Sequence, residues 1–514
     1  MFTNSVLRNT RVNESANVPN TKYYSQCHDI GASTRALTNK RLCEVNDEFI
    51  PLSKGVINND KGAENGFRDE AHFVNKIAQK IISTHFDFLN ASKNLFKPGE
   101  NPLLEKVVVF VPSIVCADPK TLEPNYAPFI TNVKKKNSEG KLVKLEDVDF
   151  NNIVYELQQQ KEISISPELS NNVYFLNDLL GAGIKIAHDI AQKPELILND
   201  EEKGTKDREG LIDRVKKGTN EQAKANVKNI LEGFTATIIM TGGGTGISTV
   251  EFLKDSVIVK SPEACHDFAI KMPESKDFIN IKTEVARPPD AGAAARSFIV
   301  NFCNNIGIKD KNKINALIGA GLAQLVIEDK LILDDNEGQD SYKINLLSQT
   351  DLFDIKENGN KKEFSLKREY TGLNGEKFKK ARNKAIEQYA FTIGELALSS
   401  LNRGENALIV TGPLALAIND YIQKNPEDFD KKGSLGELIE FKMLDFAENI
   451  LHDGHSINAM KKYRRYRVIC DKNKFNIGDN TEGSKILLNE KTEIIRGMWS
   501  GNTIKIPIDV LKDV

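Results

Sequence analysis

Residues 236–246 read Ala-Thr-Ile-Ile-Met-Thr-Gly-Gly-Gly-Thr-Gly, an apolar run that ends in a turn with four glycines in five residues. The run at 236–240 predicts a buried β-strand. Without Cβ atoms, the backbone of the turn can approach a polyphosphate closely and point its amides at the phosphate oxygens. The turn lacks the Lys-Ser/Thr ending of a Walker A loop and does not match GxGxxG. The residues alone leave two interpretations open, a phosphate-binding turn and an ordinary strand connection.

Strands and helices alternate along most of the chain on both sides of this turn. Apolar runs predict strands at residues 23–30, 35–37, 107–111, 172–176, 257–260 and 407–411. Helical spacing of apolar residues predicts helices at residues 70–88, 179–191 and 379–402. The continuous β-branched run at 107–111 suits a strand buried on both faces. This alternation predicts an α/β architecture.

The composition excludes several classes of protein. A chain of 514 residues, 40% hydrophobic and 28% charged, is long enough for two or more domains or one large two-lobed fold. Its net charge of -2 argues against a general nucleic-acid-binding protein. A mean hydropathy of -0.39 and the lack of a long apolar run argue against a membrane span. Six cysteines without a CxxC pair predict reduced thiols in a cytoplasmic protein.

Four stretches stand apart from the alternating pattern. Residues 1–20 lack the apolar core of a secretory signal, so we expect a flexible lead-in, with a transit peptide as the alternative. Residues 197–228 are charge-dense and predict a helical insertion, whereas four glycines in residues 335–377 predict an exposed hairpin or a mobile loop. The basic, aromatic-interleaved residues 461–467 fit either a nucleic-acid patch or a solvated face, and the near-neutral chain favours the solvated face.

Two predicted strands of the N-terminal half end in polar residues. Asp29 is followed by Gly31, Ser33 and Thr34, and a carboxylate beside such a turn can hold a hydrated Mg²⁺ and phosphate oxygens. An ordinary hairpin turn is the alternative. Asp178 follows a strand and opens a helix, so its carboxylate is either an N-cap or a catalytic base at the carboxyl end of a strand.

Two further positions in the C-terminal half are candidates for ligand binding. In Glu263-Ala264-Cys265-His266, Glu263 and His266 are spaced so that both can hydrogen-bond a polyol, and beyond this segment no further His or Cys lies near enough in sequence to suggest zinc. Gly412 follows the predicted strand at residues 407–411 and by itself indicates only a turn.

The order of these motifs resembles that of bacterial glucokinases and the related ROK sugar kinases of the actin/hexokinase/Hsp70 ATPase superfamily. The resemblance covers residues 23–425, interrupted by the two polar stretches. The matching segments are Asp29-Ile30-Gly31-Ala32-Ser33 (first phosphate motif, Asp-x-Gly-Gly-Thr), Thr131-Asn132 (Thr-Asn), Asn177-Asp178 (Asn-Asp), Gly244-Thr245-Gly246 (second phosphate loop), Glu263-Ala264-Cys265-His266 (Glu-Gly-Gly-His) and Gly412 (adenosine-contacting Gly).

This resemblance implies a two-lobed, actin/hexokinase-like (ribonuclease H-like) α/β fold with mixed sheets flanked by helices. It implies a small N-terminal lobe at residues 21–176 and a large C-terminal lobe at residues 177–514, with a C-terminal extension from about residue 425. It also implies a cytoplasmic, ATP-dependent glucokinase of carbohydrate metabolism, in which the glucose 6-hydroxyl accepts the γ-phosphate. A homodimer is compatible with the resemblance, and neither nucleic acid nor membrane is an expected partner.

The resemblance further implies a role for each matched residue. Asp178 is the implied general base, and Asp29 the residue that holds Mg²⁺ through water. The implied sugar-binding residues are Asn132, Asn177, Glu263 and His266. The implied ATP-binding residues are Asp29, Gly31, Ser33, Thr34, Gly244, Thr245, Gly246 and Gly412.

Two other functions use the same fold. One is a sugar- or nucleotide-sensing protein without turnover. Ligand-dependent stabilisation in the absence of product would distinguish such a sensor from a kinase. The other is an Hsp70- or actin-like ATPase, which Glu263 and His266 argue against, because a chaperone or a polymer needs no sugar clamp.

Overall fold

The computed structural model describes part of the chain, and every structural statement below concerns that part. The described residues are 22–33, 36–45, 48–56, 70–96, 100, 102–111, 113–117, 124–130, 151–159, 163–197, 231–242, 245–260, 294–319, 323–328, 330–335, 338–402, 404–450, 466–470, 475, 481–495 and 503–513. The predicted lead-in at residues 1–20 and almost all of the predicted insertion at 197–228 lie outside them, as do most of residues 461–467.

The described elements alternate between strands and helices, as the sequence predicts. The strands are β1 (Tyr23–Ser33), β2 (Ala36–Val45), β3 (Glu48–Val56), β4 (Leu103–Val111), β5 (Ser113–Ala117), β6 (Pro124–Ile130), β7 (Ser164–Ile165), β8 (Val173–Asn177), β9 (Thr235–Thr241), β10 (Thr245–Phe252), β11 (Ser256–Lys260), β12 (Leu331–Asp334), β13 (Phe353–Asn358), β14 (Lys361–Leu366), β15 (Ala407–Thr411), β16 (Arg467–Ile469), β17 (Glu493–Ile495) and β18 (Thr503–Pro507). The helices are α1 (Glu70–Ala91), α2 (Asn151–Gln158), α3 (Asp178–Gln192), α4 (Ala295–Ile306), α5 (Lys311–Gly319), α6 (Ala323–Glu328), α7 (Gly338–Ser348), α8 (Arg368–Thr371), α9 (Glu376–Asn402), α10 (Pro413–Lys424), α11 (Leu435–Ile450), α12 (Thr481–Leu488) and α13 (Val510–Asp513).

The first large sheet combines an antiparallel meander with parallel strands. Strands β3, β2 and β1 are joined antiparallel, and β4 then pairs parallel with β1. On its other edge β4 pairs parallel with the short β7 at its beginning and with β8 over the rest of its length. The order β3-β2-β1-β4-β8 therefore places the last parallel strand directly before α3.

The second large sheet repeats this arrangement. Strands β11, β10 and β9 form an antiparallel meander, β15 pairs parallel with β9, and β16 pairs parallel with β15. Strand order and directions match those of the first sheet, with β18 and β17 added beyond β11. The chain thus contains two copies of one mixed α/β unit, and the predicted fold class, two mixed sheets flanked by helices in a ribonuclease H-like arrangement, is confirmed.

Helix α3 packs between the two sheets. Its buried residues Leu180, Ile184 and Ala187 share one core cluster with Phe110 of the first sheet and Val250 of the second. Such a shared core forms because a helix that is apolar on two sides can cover two sheet faces at once. The helix is therefore the main element that the two sheets have in common.

Helix α3 lies very close to the second sheet at Gly183. A Cβ added to Gly183 would lie 2.6 Å from Val259 Cγ1 and 3.0 Å from Ser248 Oγ, so only glycine permits this approach.

Residues 335–377 are more ordered and more buried than the sequence suggests. The predicted hairpin is confirmed as β13 and β14, which pair antiparallel and join β12 in a three-stranded sheet. The alternative of a mobile loop is wrong, because Phe353 and Phe364 pack edge to face at 5.8 Å and both belong to the main core. Aromatic residues spaced among charged ones supply enough apolar area to attach the hairpin to the protein.

Residues beyond 425, for which the sequence gives no counterpart, complete the second sheet. Strand β16 forms one edge beside β15, and β18 pairs with β11 at the other side of the meander. Helix α11 adds a close contact, because a Cβ on Gly436 would lie 2.5 Å from the Val468 carbonyl oxygen. This C-terminal segment is thus an integral part of the second lobe, not an appendage.

Two further expectations concern membranes and thiols. Among the described helices, none is both long and apolar enough to span a membrane. Cys27, Cys43, Cys303 and Cys470 are buried.

Candidate functional site

The carboxyl ends of β1, β4 and β8 form one edge of the first sheet. Asp29 is the register partner of Phe110, and Phe110 is the partner of Leu176, so these three residues lie at one level across the sheet. With strands about 4.8 Å apart, Asp29 is about 10 Å from Leu176. Asn177 is the last residue of β8 and Asp178 is the first of α3, with no loop between them. The backbone therefore brings Asp29 and the Asn177-Asp178 pair to the same edge.

Strand β1 continues past this edge as a hairpin with β2. Gly31 pairs with Thr38 and Ser33 with Ala36, beyond the last residue of β1 that pairs with β4. The predicted first phosphate motif is thus the projecting tip of a hairpin, with Gly31 and Ser33 in its first strand.

The glycine turn joins β9 to β10 at one end of the second sheet. Thr241 pairs with Thr245 and Met240 with Gly246, which closes the turn directly after the strands. Thr241 and Thr245 are buried. The carbonyl oxygen of Gly242 accepts a hydrogen bond of 2.8 Å from the Ala295 amide, which opens α4. The turn is therefore fixed at its first glycine by the start of a helix.

Gly412 is packed directly against this turn. Thr411 is the parallel partner of Met240, so β15 ends beside the last residues of β9. A Cβ on Gly412 would lie 2.4 Å from the carbonyl oxygen of Thr241 and 2.7 Å from its amide nitrogen. The φ angle of Gly412 is +96°, which side-chain-bearing residues rarely adopt. Pro413 then begins α10, a favourable position because its missing N–H needs no partner there.

A buried tyrosine hydrogen-bonds with the residue that directly precedes the glycine turn. The hydroxyl groups of Thr241 and Tyr389 are 2.8 Å apart, and both residues are completely buried. Burial raises the pKa of Tyr389 far above its ordinary value, so the phenol stays protonated. Sequence reasoning missed this residue, although a tyrosine on the apolar face of the predicted helix at 379–402 signals that its hydroxyl needs an interior partner.

The direction of α3 shows how the strand-end edge of the first sheet lies relative to the glycine turn of the second sheet. The side-chain amide Nε2 of Gln192, the last residue of α3, donates a 3.0 Å hydrogen bond to the Leu511 carbonyl, and nearby Ile508 N donates 3.1 Å to Asp255 O in the turn between β10 and β11. Nearer the start of α3, Gly183 lies beside Ser248 of β10. The N-terminus of α3 therefore points towards the opposite end of β10, where the glycine turn lies.

Helix and strand geometry give the level of Asp178 along β10. From Gly183 to Asp178 the helix rises about 7.5 Å, and from Ser248 to Gly246 the strand runs about 7 Å. The backbone thus brings the Asn177-Asp178 pair, Thr245 and Gly246 to the same end of the α3–β10 contact.

The remaining predicted site residues lie outside the described part of the chain. They are Thr34, Asn132, Gly244, Glu263 and His266. For Asp29, Gly31, Ser33, Asn177 and Asp178 the structure gives the backbone position.

The donor set at the first edge is compatible with Mg²⁺. Within the described residues, no group of three His, Cys, Asp or Glu side chains could form an all-protein metal cage. Mg²⁺ needs none, since it commonly keeps several waters and binds through one or two carboxylates together with substrate phosphates. A single carboxylate at Asp29 beside a hairpin tip fits this mode.

The chain is similar to known proteins in structure but not in sequence. No protein-family model matches the chain, and no curated protein sequence does. The structure is similar to that of glucokinase from Balamuthia mandrillaris in complex with glucose, with 12% identity over 91% of this chain and 94% of that one, at a TM-score of 0.47. It is also similar to Leishmania braziliensis glucokinase, with 13% identity over 91% and 94% of the two chains and a TM-score of 0.40.

A ROK family glucokinase from Streptomyces griseus, in complex with glucose and AMPPNP, shows 12% identity over 90% of this chain and 99% of that one, with a TM-score of 0.34. At such TM-scores and identities, these likenesses alone establish neither a family nor an activity. The class of the protein follows from its own topology: it is a two-lobed α/β protein with a duplicated mixed sheet, and each sheet has a candidate site at its strand ends.

Proposed function

We propose that this protein is a sugar kinase, which transfers the γ-phosphate of ATP to a hexose hydroxyl, with the 6-hydroxyl of glucose as the favoured acceptor. The observation that carries this proposal is the convergence of the Asn177-Asp178 pair and the turn at Thr245 and Gly246 at one end of the α3–β10 contact. This convergence brings a carboxylate-bearing residue to a turn suited to phosphate. The order of motifs along the sequence, which resembles that of glucokinases, supplies the identity of the reaction.

Asp178 is the proposed general base. The first position of a helix favours the negative charge of a carboxylate through the helix dipole. Asp178 accepts the proton of the sugar hydroxyl as the hydroxyl oxygen bonds to the γ-phosphorus and the bond from that phosphorus to the ADP oxygen breaks. Asn132, Asn177, Glu263 and His266 orient the sugar in this proposal.

The phosphates of ATP lie between the two strand-end sites in this proposal. Asp29, Gly31, Ser33 and Thr34 form the first phosphate motif, while Gly244, Thr245, Gly246 and Gly412 form the second phosphate loop and the adenosine contact. Bound Mg²⁺, held by Asp29 through water, supplies neutralisation of the charge that develops on the phosphates. In this proposal, movement of one sheet towards the other closes the site and excludes water.

Sugar-dependent release of ADP tests the proposal. The wild-type protein is incubated with Mg-ATP and glucose, mannose, fructose, N-acetylglucosamine or N-acetylmannosamine. General bases contribute roughly 10²–10⁴-fold, so Asp178→Asn should lose at least about 100-fold in kcat with little change in sugar affinity. Asp189→Asn is the matched control, because Asp189 lies on the same helix and is ion-paired with Lys185; its kcat should stay within about twofold of wild type.

Two results contradict the proposal. Sugar-dependent turnover that persists in Asp178→Asn would show that Asp178 is not the general base. A melting temperature that rises with sugar or ATP, without any ADP release by the wild-type protein, identifies a sensor and not a kinase.

A further inference from the structure

A groove on the second lobe lies apart from both strand-end sites. It has a volume of about 650 Å³ and is lined by Asn304, Asn305, Gly372, Leu373, Glu376, Lys377, Lys380, Ala381 and Lys384. Its walls are the C-terminal end of α4 and the first turns of α9. Asn304 is about 14 Å along α4 from the residue that contacts the glycine turn. Its size suits a small molecule.

Three lysines give the groove a positive charge. Lys377, Lys380 and Lys384 are spaced at helical intervals, so they share one face of α9, and all three are exposed. Glu376 is the single acidic residue of the lining. Lys377 lies in the first turn of α9, where the helix dipole opposes a cation. Lys380 and Lys384 repel each other at i,i+4 spacing, and Glu376, four residues before Lys380, offsets part of this charge. The lining therefore carries an excess of positive charge.

Cations elsewhere on the same helix have partners. Lys379 forms an ion pair of 2.8 Å with Asp428. The Arg382 guanidinium lies 4.2 Å from the centre of the Tyr421 ring. By contrast, Lys380 and Lys384 form no ion pair with any residue in the described part of the chain. Unpaired positive charge on α9 is therefore concentrated on the face that lines the groove.

The end of the groove is a tight turn between α8 and α9. Gly372, Asn374 and Gly375 all have positive φ angles, of 77°, 55° and 74°. A Cβ on Gly372 would lie 3.0 Å from Lys377 Cβ, and Lys377 Nζ donates a 3.4 Å hydrogen bond to the carbonyl of Glu369. These contacts hold Lys377 against the turn, so the base of the groove is built by the backbone and not by mobile side chains alone.

We propose that this groove binds a small phosphorylated molecule. Lysine ammonium groups bind phosphate as point charges, and three of them on separate stems can reach oxygens that point in different directions from a tetrahedral group. The limited volume of the groove favours a small anion over an extended polymer, and the net charge of -2 of the whole chain agrees with this choice. The site is separate from the proposed kinase centre and does not depend on it.

Lysine footprinting with inorganic tripolyphosphate tests the proposal. The native protein is acetylated to a low extent with an amine-reactive ester, with and without tripolyphosphate, and each lysine is quantified by peptide mass spectrometry. Acetylation of Lys380 and Lys384 should fall at least threefold and saturably. Lys356 and Lys361, exposed on the β13–β14 hairpin, should be unchanged. Because each lysine is read separately, binding of the probe at the glycine turn does not affect the conclusion.

A charge-matched pair of variants gives the control. Lys380→Gln/Lys384→Gln should abolish the protection of Lys377, whereas Lys356→Gln/Lys361→Gln should retain it. Unchanged acetylation of Lys380 and Lys384, or equal protection of the hairpin lysines, overturns the proposal. If citrate protects Lys380 and Lys384 equally, the preference for phosphate is overturned. If a single-stranded oligonucleotide protects them more strongly than tripolyphosphate, the proposed small ligand is overturned in favour of a nucleic acid.

Discussion

Gly412 provides a sharp test of the packing around the glycine turn, because its closest neighbours are backbone atoms. Substitution Gly412→Ala places a Cβ 2.4 Å from the Thr241 carbonyl oxygen at a φ of +96°. The backbone conformation alone, with ψ 162°, costs about 1–3 kcal/mol for a residue with a side chain. To relieve the contact, β15 and β9 must separate by almost 1 Å, which weakens a buried backbone hydrogen bond at a further cost of about 1–3 kcal/mol.

Gly404→Ala separates the two contributions. Gly404 also has a positive φ, +89°, but a Cβ there would meet no atom within 4 Å. It should therefore show the backbone cost alone, while Gly412→Ala should be less stable by a further 1–3 kcal/mol or so, equivalent for a chain of 514 residues to a melting temperature lower by roughly 1–3 °C. Differential scanning calorimetry of the full chain measures both. Equal melting temperatures for the two variants would show that β15 is not packed against Thr241 as described.

Two further predictions concern the buried core. Burial raises the pKa of the Cys303 thiol from 9.0 to about 12. Between these two values the folded state keeps the thiol proton while the unfolded state loses it. The free energy of unfolding should therefore fall between pH 9 and 12 by up to about 1.4 kcal/mol per pH unit. Guanidinium unfolding at several pH values measures this slope, which should be smaller in Cys303→Ala; identical slopes would refute it. Gly183→Ala should destabilise the protein by about 1–3 kcal/mol despite the better helix propensity of alanine, because of the 2.6 Å approach to Val259 Cγ1. In a Val259→Ala background the same change should cost clearly less, and strict additivity in the double-mutant cycle would contradict the described α3–β11 contact.

Long, buried apolar runs made part of this fold predictable. Residues 407–411 and 107–110 lie in strands of the structure, and their side chains are buried on both faces of a sheet. Helix α9 was predictable from its period alone. The three-residue strand β16 and the alternating β18 carry too few apolar residues to stand out from loops.

The duplication of the sheet could not be predicted from one sequence, because strand order is a property of long-range pairing and the two units share no visible repeat. The candidate site, too, could be predicted only in part from the sequence. Asp29, Asp178 and Gly412 could be identified as strand-end residues, since carboxylates and glycines follow apolar runs there. That Gly412 lies against Thr241, and that Tyr389 supports the turn, depends on contacts between residues far apart in sequence.

The C-terminal segment closes contacts that begin very early in the chain. Lys106 donates a 2.7 Å hydrogen bond to the carbonyl of Leu487, 381 residues later, and Gln192 donates to Leu511, 319 residues later. During synthesis on the ribosome, the meander edge at β11 and the surface of α3 are made long before β18 and α13 exist to cover them. An exposed strand edge of this kind can pair with other chains. The nascent protein therefore has a long interval in which this edge is open to pairing with other chains, and β18 ends that interval.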